Sequence, residues 1–130
     1  MCTRSEILKL FNEWKDAIHE GSLDKVMSLY APDAILLPTL SNKVCHNKAE
    51  ISEYFVHFLK KKPCCEMEEN NLCLHGDIAI NAGVYTFTVS HPDGENRVFR
   101  ARYSFVYQKY GDRWLIIEHH SSKMPEEENG

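Results

Sequence analysis

Residues 97–122, RVFRARYSFVYQKYGDRWLIIEHHSS, decide the fold. Over residues 98–108 one alternate set is Phe99, Ala101, Tyr103, Phe105 and Tyr107. The other is Val98, Arg100, Arg102, Ser104, Val106 and Gln108. A period of two is the mark of a strand. Gly111-Asp112 then supplies a tight turn. After it, Leu115, Ile117, His119 and Ser121 alternate with Trp114, Ile116, Glu118, His120 and Ser122. Two strands joined by so short a turn pair antiparallel. The aromatic set needs a covering layer, which only helices elsewhere in the chain can supply.

The same period extends upstream. Residues 66–74 and 77–90 read as two further strands, with turns at Gly76-Asp77 and Pro92-Asp93-Gly94. Before residue 63 the period is helical. Ile7, Phe11, Trp14 and Ile18 form a stripe on a first helix, with Thr3 as its N-cap, Glu6 completing a capping box and Gly21 as its stop. A short second helix runs from Ser22 to Tyr30 and is broken at Ala31-Pro32-Asp33. A short strand, Ala34 to Leu37, follows and closes at Pro38. Asn47 caps a third helix over residues 48–61, with Ile51, Tyr54, Phe55, Phe58 and Leu59 apolar and Pro63 beyond its end. Helices first and an antiparallel meander after them predict an α+β domain, with N-terminal helices packed on a curved antiparallel sheet. A chain of 130 residues holds one such domain, with a core over about 5–125 and an acidic, solvated tail at 126–130.

Composition removes several function classes. Fifteen basic against nineteen acidic residues give a net charge of -4, and phosphate binding needs clustered positive charge, so nucleic acid is not expected as a partner. No apolar run approaches the ~20 residues of a membrane helix. The first ten residues carry charges throughout, so secretion is not indicated. Cys2, Cys45, Cys64, Cys65 and Cys73 are odd in number and irregular in spacing, which points to free thiols in a reducing cytoplasm. No Cys-x-x-Cys occurs. His119 and His120 point to opposite faces of a strand, so neither a metal nor any other cofactor is expected.

The set opposite the aromatic face is half polar and half apolar. Such a face predicts a protein interface, here Arg100, Arg102, Ser104, Trp114, Ile116, Glu118 and His120. A cross-strand pair of Arg102 with Glu118 inside one subunit is the competing reading.

The stretches APDAILLPT (31–39), AGVYTFTV (82–89), ARYSFVYQK (101–109) and WLIIEHHSSKMP (114–125) carry a resemblance. They resemble the association, or hub, domain family of calcium/calmodulin-dependent protein kinase II, and especially its free-standing members. The fold this implies is the nuclear transport factor 2-like cone, a curved sheet wrapped round a long helix. The function it implies is non-catalytic assembly into a ring of dimers, with the chain itself as main partner and a kinase as partner in a larger system. No kinase domain or calmodulin-binding segment is expected before Thr3.

Two further readings stay open beside assembly. Isomerases and dehydratases share this outline, and the isomerases place a base before the proline that ends the first strand. That position is Leu37 here, so no catalytic residue is expected. His119 remains the lone acid or base, with Tyr85, Tyr103 or Tyr107 near it. The third reading is a small-molecule pocket lined by Trp14, Tyr85, Tyr103, Phe105, Tyr107, His119 and Ser121. Kinase hubs have inward arginines there, and the matching positions in this chain are Tyr85, Phe105 and Ser121, which puts anion binding in doubt.

Overall fold

The computed structural model describes residues 4–126. The Thr3 cap and the end of the acidic tail lie outside the described residues. The elements run α1 (Arg4–Glu20), α2 (Leu23–Ser28), β1 (Tyr30–Leu37), α3 (Lys48–Leu59), β2 (Cys64–His75), β3 (Ile78–Ser90), β4 (Asn96–Tyr110) and β5 (Arg113–Lys123). This is an α+β fold of the nuclear transport factor 2-like type. Five strands form one open sheet in the order β1-β5-β4-β3-β2. β2 to β5 are an antiparallel meander, and β1 joins β5 in parallel.

α1 exists because its apolar stripe has a sheet to bury it. Ile7, Phe11, Trp14, Ala17 and Ile18 are all buried. Phe11 lies over Tyr103, and Trp14 stacks on Tyr85 with ring planes 6° apart at 5.9 Å. Gly21 ends the helix at φ 77°, its N–H and that of Ser22 both turning back to the Ala17 carbonyl. Ser22 and Asn47 cap α2 and α3, accepting from the Lys25 and Glu50 N–H groups.

Three features differ from the sequence reading. The strand β1 starts at Tyr30, not after Asp33, and α2 stops at Ser28. Pro32 is tolerated because β1 is an edge strand whose register slips between Tyr30 and Ile35, so no ladder bond is needed from it. α3 ends at Leu59 rather than residue 61. The third difference is a bulge in β5. Tyr107 lies opposite Ile116 and Val106 opposite Glu118, which leaves Ile117 as the extra residue. Face parity therefore reverses there. Trp114 and Ile116 share the inner face with Tyr107, and Leu115 turns outward with Gln108. Ile116 is 1% exposed. A second bulge sits in β2 between Met67 and Glu69, opposite Tyr85 and Val84, with Gly83 next in register. A Cβ at Gly83 would stand 2.0 Å from the Glu69 carbonyl oxygen, so the close approach of the chain beside the bulge requires glycine there.

Candidate functional site

The inner face of the meander gathers the seven residues singled out as pocket-lining. Trp14, Tyr85, Tyr103, Phe105, Tyr107, His119 and Ser121 are all buried. They come from α1, β3, β4 and β5, brought together because alternate residues of neighbouring strands project under one helix. What they form is a packed stack. Tyr85 stacks on Tyr103 at 4.6 Å, Phe105 stacks on His119 at 4.0 Å, and Trp14 meets Phe105 and His119 edge-on. The free space at the centre, between Trp14, Leu36, Phe55, Tyr85 and His119, is about 10 Å³. That is about the least that holds one water molecule.

Around His119 the polar groups are satisfied in one direction, whereas Asn81 Nδ2 and Tyr107 Oη are buried without a hydrogen-bond partner among the described residues. Trp14 Nε1–H donates to Tyr30 Oη at 3.1 Å, and an indole N–H can only donate. The Tyr30 hydroxyl then has its own proton for His119 Nδ1, 2.8 Å away. Nδ1 is thereby the acceptor nitrogen, and Nε2 carries the proton toward Tyr85 Oη at 3.2 Å. Tyr85 in turn bonds Ser121, whose Oγ is paired with Thr39 Oγ1. Burial pushes His119 down to about 3, so the imidazole is neutral. Burial likewise pushes the Tyr85 and Tyr107 phenols well up. The ring is neutral, both its nitrogens are engaged in hydrogen bonds, and Phe105 stacks on one face.

A stability consequence follows from that histidine. The unfolded chain protonates His119 near 6.5, whereas the folded chain keeps it neutral down to about 3. The unfolded state binds the extra proton between these values, so stability is complete above about 6.5 and is lost as pH falls. The slope contributed is at most about 1.4 kcal/mol per pH unit. Glu50, Glu68 and Asp93 also have lowered values, but they act only below their ordinary 4.5, 4.5 and 3.8. Between pH 6.5 and 4.5 the fall should therefore vanish in His119→Gln. Urea midpoints across that range measure it, and equal slopes in the two proteins would show that His119 is not held neutral.

On the outer face the interface candidates divide. Arg100 pairs with Glu68 at 2.8 Å, and Arg102, Glu118 and His120 are exposed. Ser104 is half-buried there. Trp114 and Ile116 are not on this face, for the bulge turns them under α1. Arg102 and Glu118 do not pair within the chain either. Arg102 lies opposite Ser122 and Glu118 opposite Val106, four residues apart along the strands. The alternation in β3 places Ile78, Ile80, Ala82 and Val84 on the outer face, because Ala79, Asn81, Tyr85 and Phe87 are the buried set. Ile80 stands directly opposite Val106. Sequence reasoning missed these β3 residues because that strand is apolar on both faces.

His119 is buried and His120 exposed, on opposite faces. No group of three or more metal-binding side chains is gathered among the described residues. No helix is long and apolar enough to cross a membrane. A shallow groove of about 250 Å³ lies outside the cone, floored by Tyr54 and Phe58 of α3 and rimmed by Leu40, Lys43 and Lys61.

Comparisons with known proteins agree with this geometry. The family model described as calcium/calmodulin dependent protein kinase II association domain matches residues 3–125. A crystal structure from Xanthomonas campestris, a candidate association domain of the same kind, is 45% identical, covers 97% of this chain and 91% of its own, and has a TM-score of 0.92. The S. rosetta CaMKII hub is similar at 17% identity, covering 91% of this chain and 94% of its own, with a TM-score of 0.76. A candidate dehydratase of the NTF2-like family from Streptomyces avermitilis has a TM-score of 0.85 at 12% identity, covering 94% of this chain and 96% of its own. The last two likenesses concern the fold alone. No curated protein matches the chain. With a family match across nearly its whole length and a 45% identical relative of the same description, the chain belongs to the calcium/calmodulin-dependent protein kinase II association domain family.

Proposed function

We propose that the chain is a non-catalytic association module that pairs with a second copy of itself through the outer face of β3, β4 and β5, and that such pairs close into a ring. One observation carries the reading. Ile80 and Val106 face each other across the ladder at the middle of the sheet, flanked by Ile78, Ala82 and Val84, and the helices pack on the opposite face. A partly apolar face of this size, left uncovered by its own chain, suits a protein contact.

The charges on that face suit a two-fold contact. Arg102 and Glu118 have opposite sign, lack an ion-pair partner among the described residues, and stand roughly 13 Å apart along the strands. A two-fold axis lying in the contact plane, across the strands near Ser104, lays Arg102 on the Glu118 of a second copy and the reverse. Reciprocity of this kind is what an isologous contact requires. The ion pairs fix register more than they add affinity. Ring closure needs a second, lateral contact, and its basis here is the family.

The alternative, a cone-pocket binder or enzyme, has less behind it. Leu37 occupies the place of a base, the inner face holds no carboxylate among its buried residues, and the cone is filled by rings.

The experiment is native mass by light scattering on the parent and on Ile80→Lys with Val106→Glu. These two positions are directly opposed, so the new charges pair across the strands and the single chain keeps its fold. In a face-to-face contact the same charges are desolvated, at a cost of several kcal/mol. The parent should run as a multiple of the dimer and the variant as smaller species with unchanged far-ultraviolet dichroism. A monomeric parent rejects the association reading, and a variant of unchanged mass rejects this face.

A further inference from the structure

We propose that Cys64 is a reactive thiol, with His19 as its proton acceptor, that forms mixed disulfides with anionic low-molecular-weight disulfides. The chain holds a thiol–imidazole pair that neither assembly nor the core uses. His19 lies in the last turn of α1, and Cys64 is the first residue of β2, 45 residues away in sequence. His19 Nδ1 and Cys64 Sγ are 3.1 Å apart. That is hydrogen-bond distance for sulfur, so Nδ1 accepts from Sγ–H when the ring proton sits on Nε2. The placement is built by the turn before β2. Lys61 and Lys62 N–H groups close it onto the Phe58 and Leu59 carbonyls, Lys62 takes φ 49°, and Ser90 N–H clamps the Lys61 carbonyl at 2.7 Å.

The other described cysteines differ. Cys65 is buried, and desolvation pushes its thiol far up. Cys45 is buried with its thiol also raised by desolvation. Cys73 is exposed but has no hydrogen-bond partner among the described residues. Cys64 alone among them combines partial exposure with a base in contact. Neighbours in a strand point to opposite faces, so Cys64 does not pair with Cys65.

Charge selects the co-reactant. Lys60, Lys61 and Lys62 precede Cys64 in the chain, and Lys15 lies one helical turn before His19 and acts on the adjoining Cys65. Asp16 and Glu20 on α1 and Glu66 on β2 are the neighbouring acids, with Glu20 paired to Lys25, so lysines outnumber carboxylates by five to three around the pair. Electropositive, partly exposed positions are where reactive cysteines are found. Carboxylate-bearing disulfides are drawn to such a site.

The step balances without a further oxidant. Cys64 Sγ–H gives its proton to His19 Nδ1 as the sulfur attacks one sulfur of R–S–S–R. A new S–S bond joins Cys64 to R–S, the old S–S bond breaks, and the departing thiolate takes the proton back from His19 to leave as RSH. Cys64 pairs with Thr88, at the end of β3 remote from Ile80, so the reaction does not depend on the proposed subunit contact.

Peptide-resolved mass spectrometry tests this on the intact chain, with limiting iodoacetamide at pH 7 and then with oxidised glutathione or cystamine. Cys64 should label about tenfold faster than Cys73, and His19→Gln should bring it down to the Cys73 rate. Oxidised glutathione, an anionic disulfide, should add to Cys64 faster than cationic cystamine. His19 is exposed at a helix end, so the variant keeps its dichroism. A Cys64 rate no greater than that of Cys73, or one unchanged in His19→Gln, overturns the pair as a reactive unit. Equal or faster addition of cystamine overturns the anionic class.

Discussion

Ile116→Asp should unfold the domain rather than release it from an assembly. Ile116 is 1% exposed, faces Tyr107 across the ladder, and donates its N–H to the Leu29 carbonyl, which anchors β5 to the end of α2. A carboxylate there loses an isoleucine's burial and gains no partner. The two losses together exceed about 4 kcal/mol. A domain of this size has about 5–15 kcal/mol to lose, so the variant is at best marginal. Loss of far-ultraviolet dichroism and of a cooperative urea transition is the expected result. The contrast with Ile80→Lys/Val106→Glu matters, for that variant changes mass and keeps its fold. A well-folded Ile116→Asp protein of reduced mass would place residue 116 on the outer face after all.

Trp14→Ala should cost about 3–5 kcal/mol. Trp14 is 1% exposed and touches Phe11, Tyr85, Phe87, Phe105 and His119 by ring contacts. Removing the indole opens a void at the centre of the cone and withdraws the N–H that directs the Tyr30–His119 chain. Trp14→Phe keeps most of the ring volume and loses that donor, so its cost should be smaller, nearer the 1–3 kcal/mol of an orphaned buried acceptor. Denaturant midpoints of the two variants separate packing from hydrogen bonding. A Trp14→Ala chain within about 1 kcal/mol of the parent would contradict the packing of α1 on the sheet.

The cone also bears on how far a shared fold speaks for function. The same outline is found in a candidate dehydratase and in a hub. What separates the readings in this chain is the chemistry of single positions. Tyr85, Phe105 and Ser121 share the inner face with Trp14 and His119, and all five are buried. These residues make the interior a hydrogen-bonded aromatic core.

Much of this was legible in the sequence, since it depends on local pattern. The α1 stripe, the Asn47 cap, the strand periods and the aromatic face of β4 each need only neighbouring residues to declare themselves. The family was legible too, because WLIIEHHSSKMP and its companion stretches span the chain. The tertiary structure decided what depends on partners. Counting alternate residues along β5 assigned Ile116 to the wrong face, because a bulge is set by the pairing of two strands and one extra residue reverses every face before it. β1 joins the sheet in parallel through a proline because β5 offers it an edge, which no property of residues 30–37 announces. The direction of the Trp14–Tyr30–His119–Tyr85 chain and the contact of His19 with Cys64 join residues 16 to 89 apart in sequence. Periodicity reports which face of an element is apolar; only packing determines which side chains of different elements meet, because that is fixed by the register and crossing of whole elements rather than by any residue's neighbours.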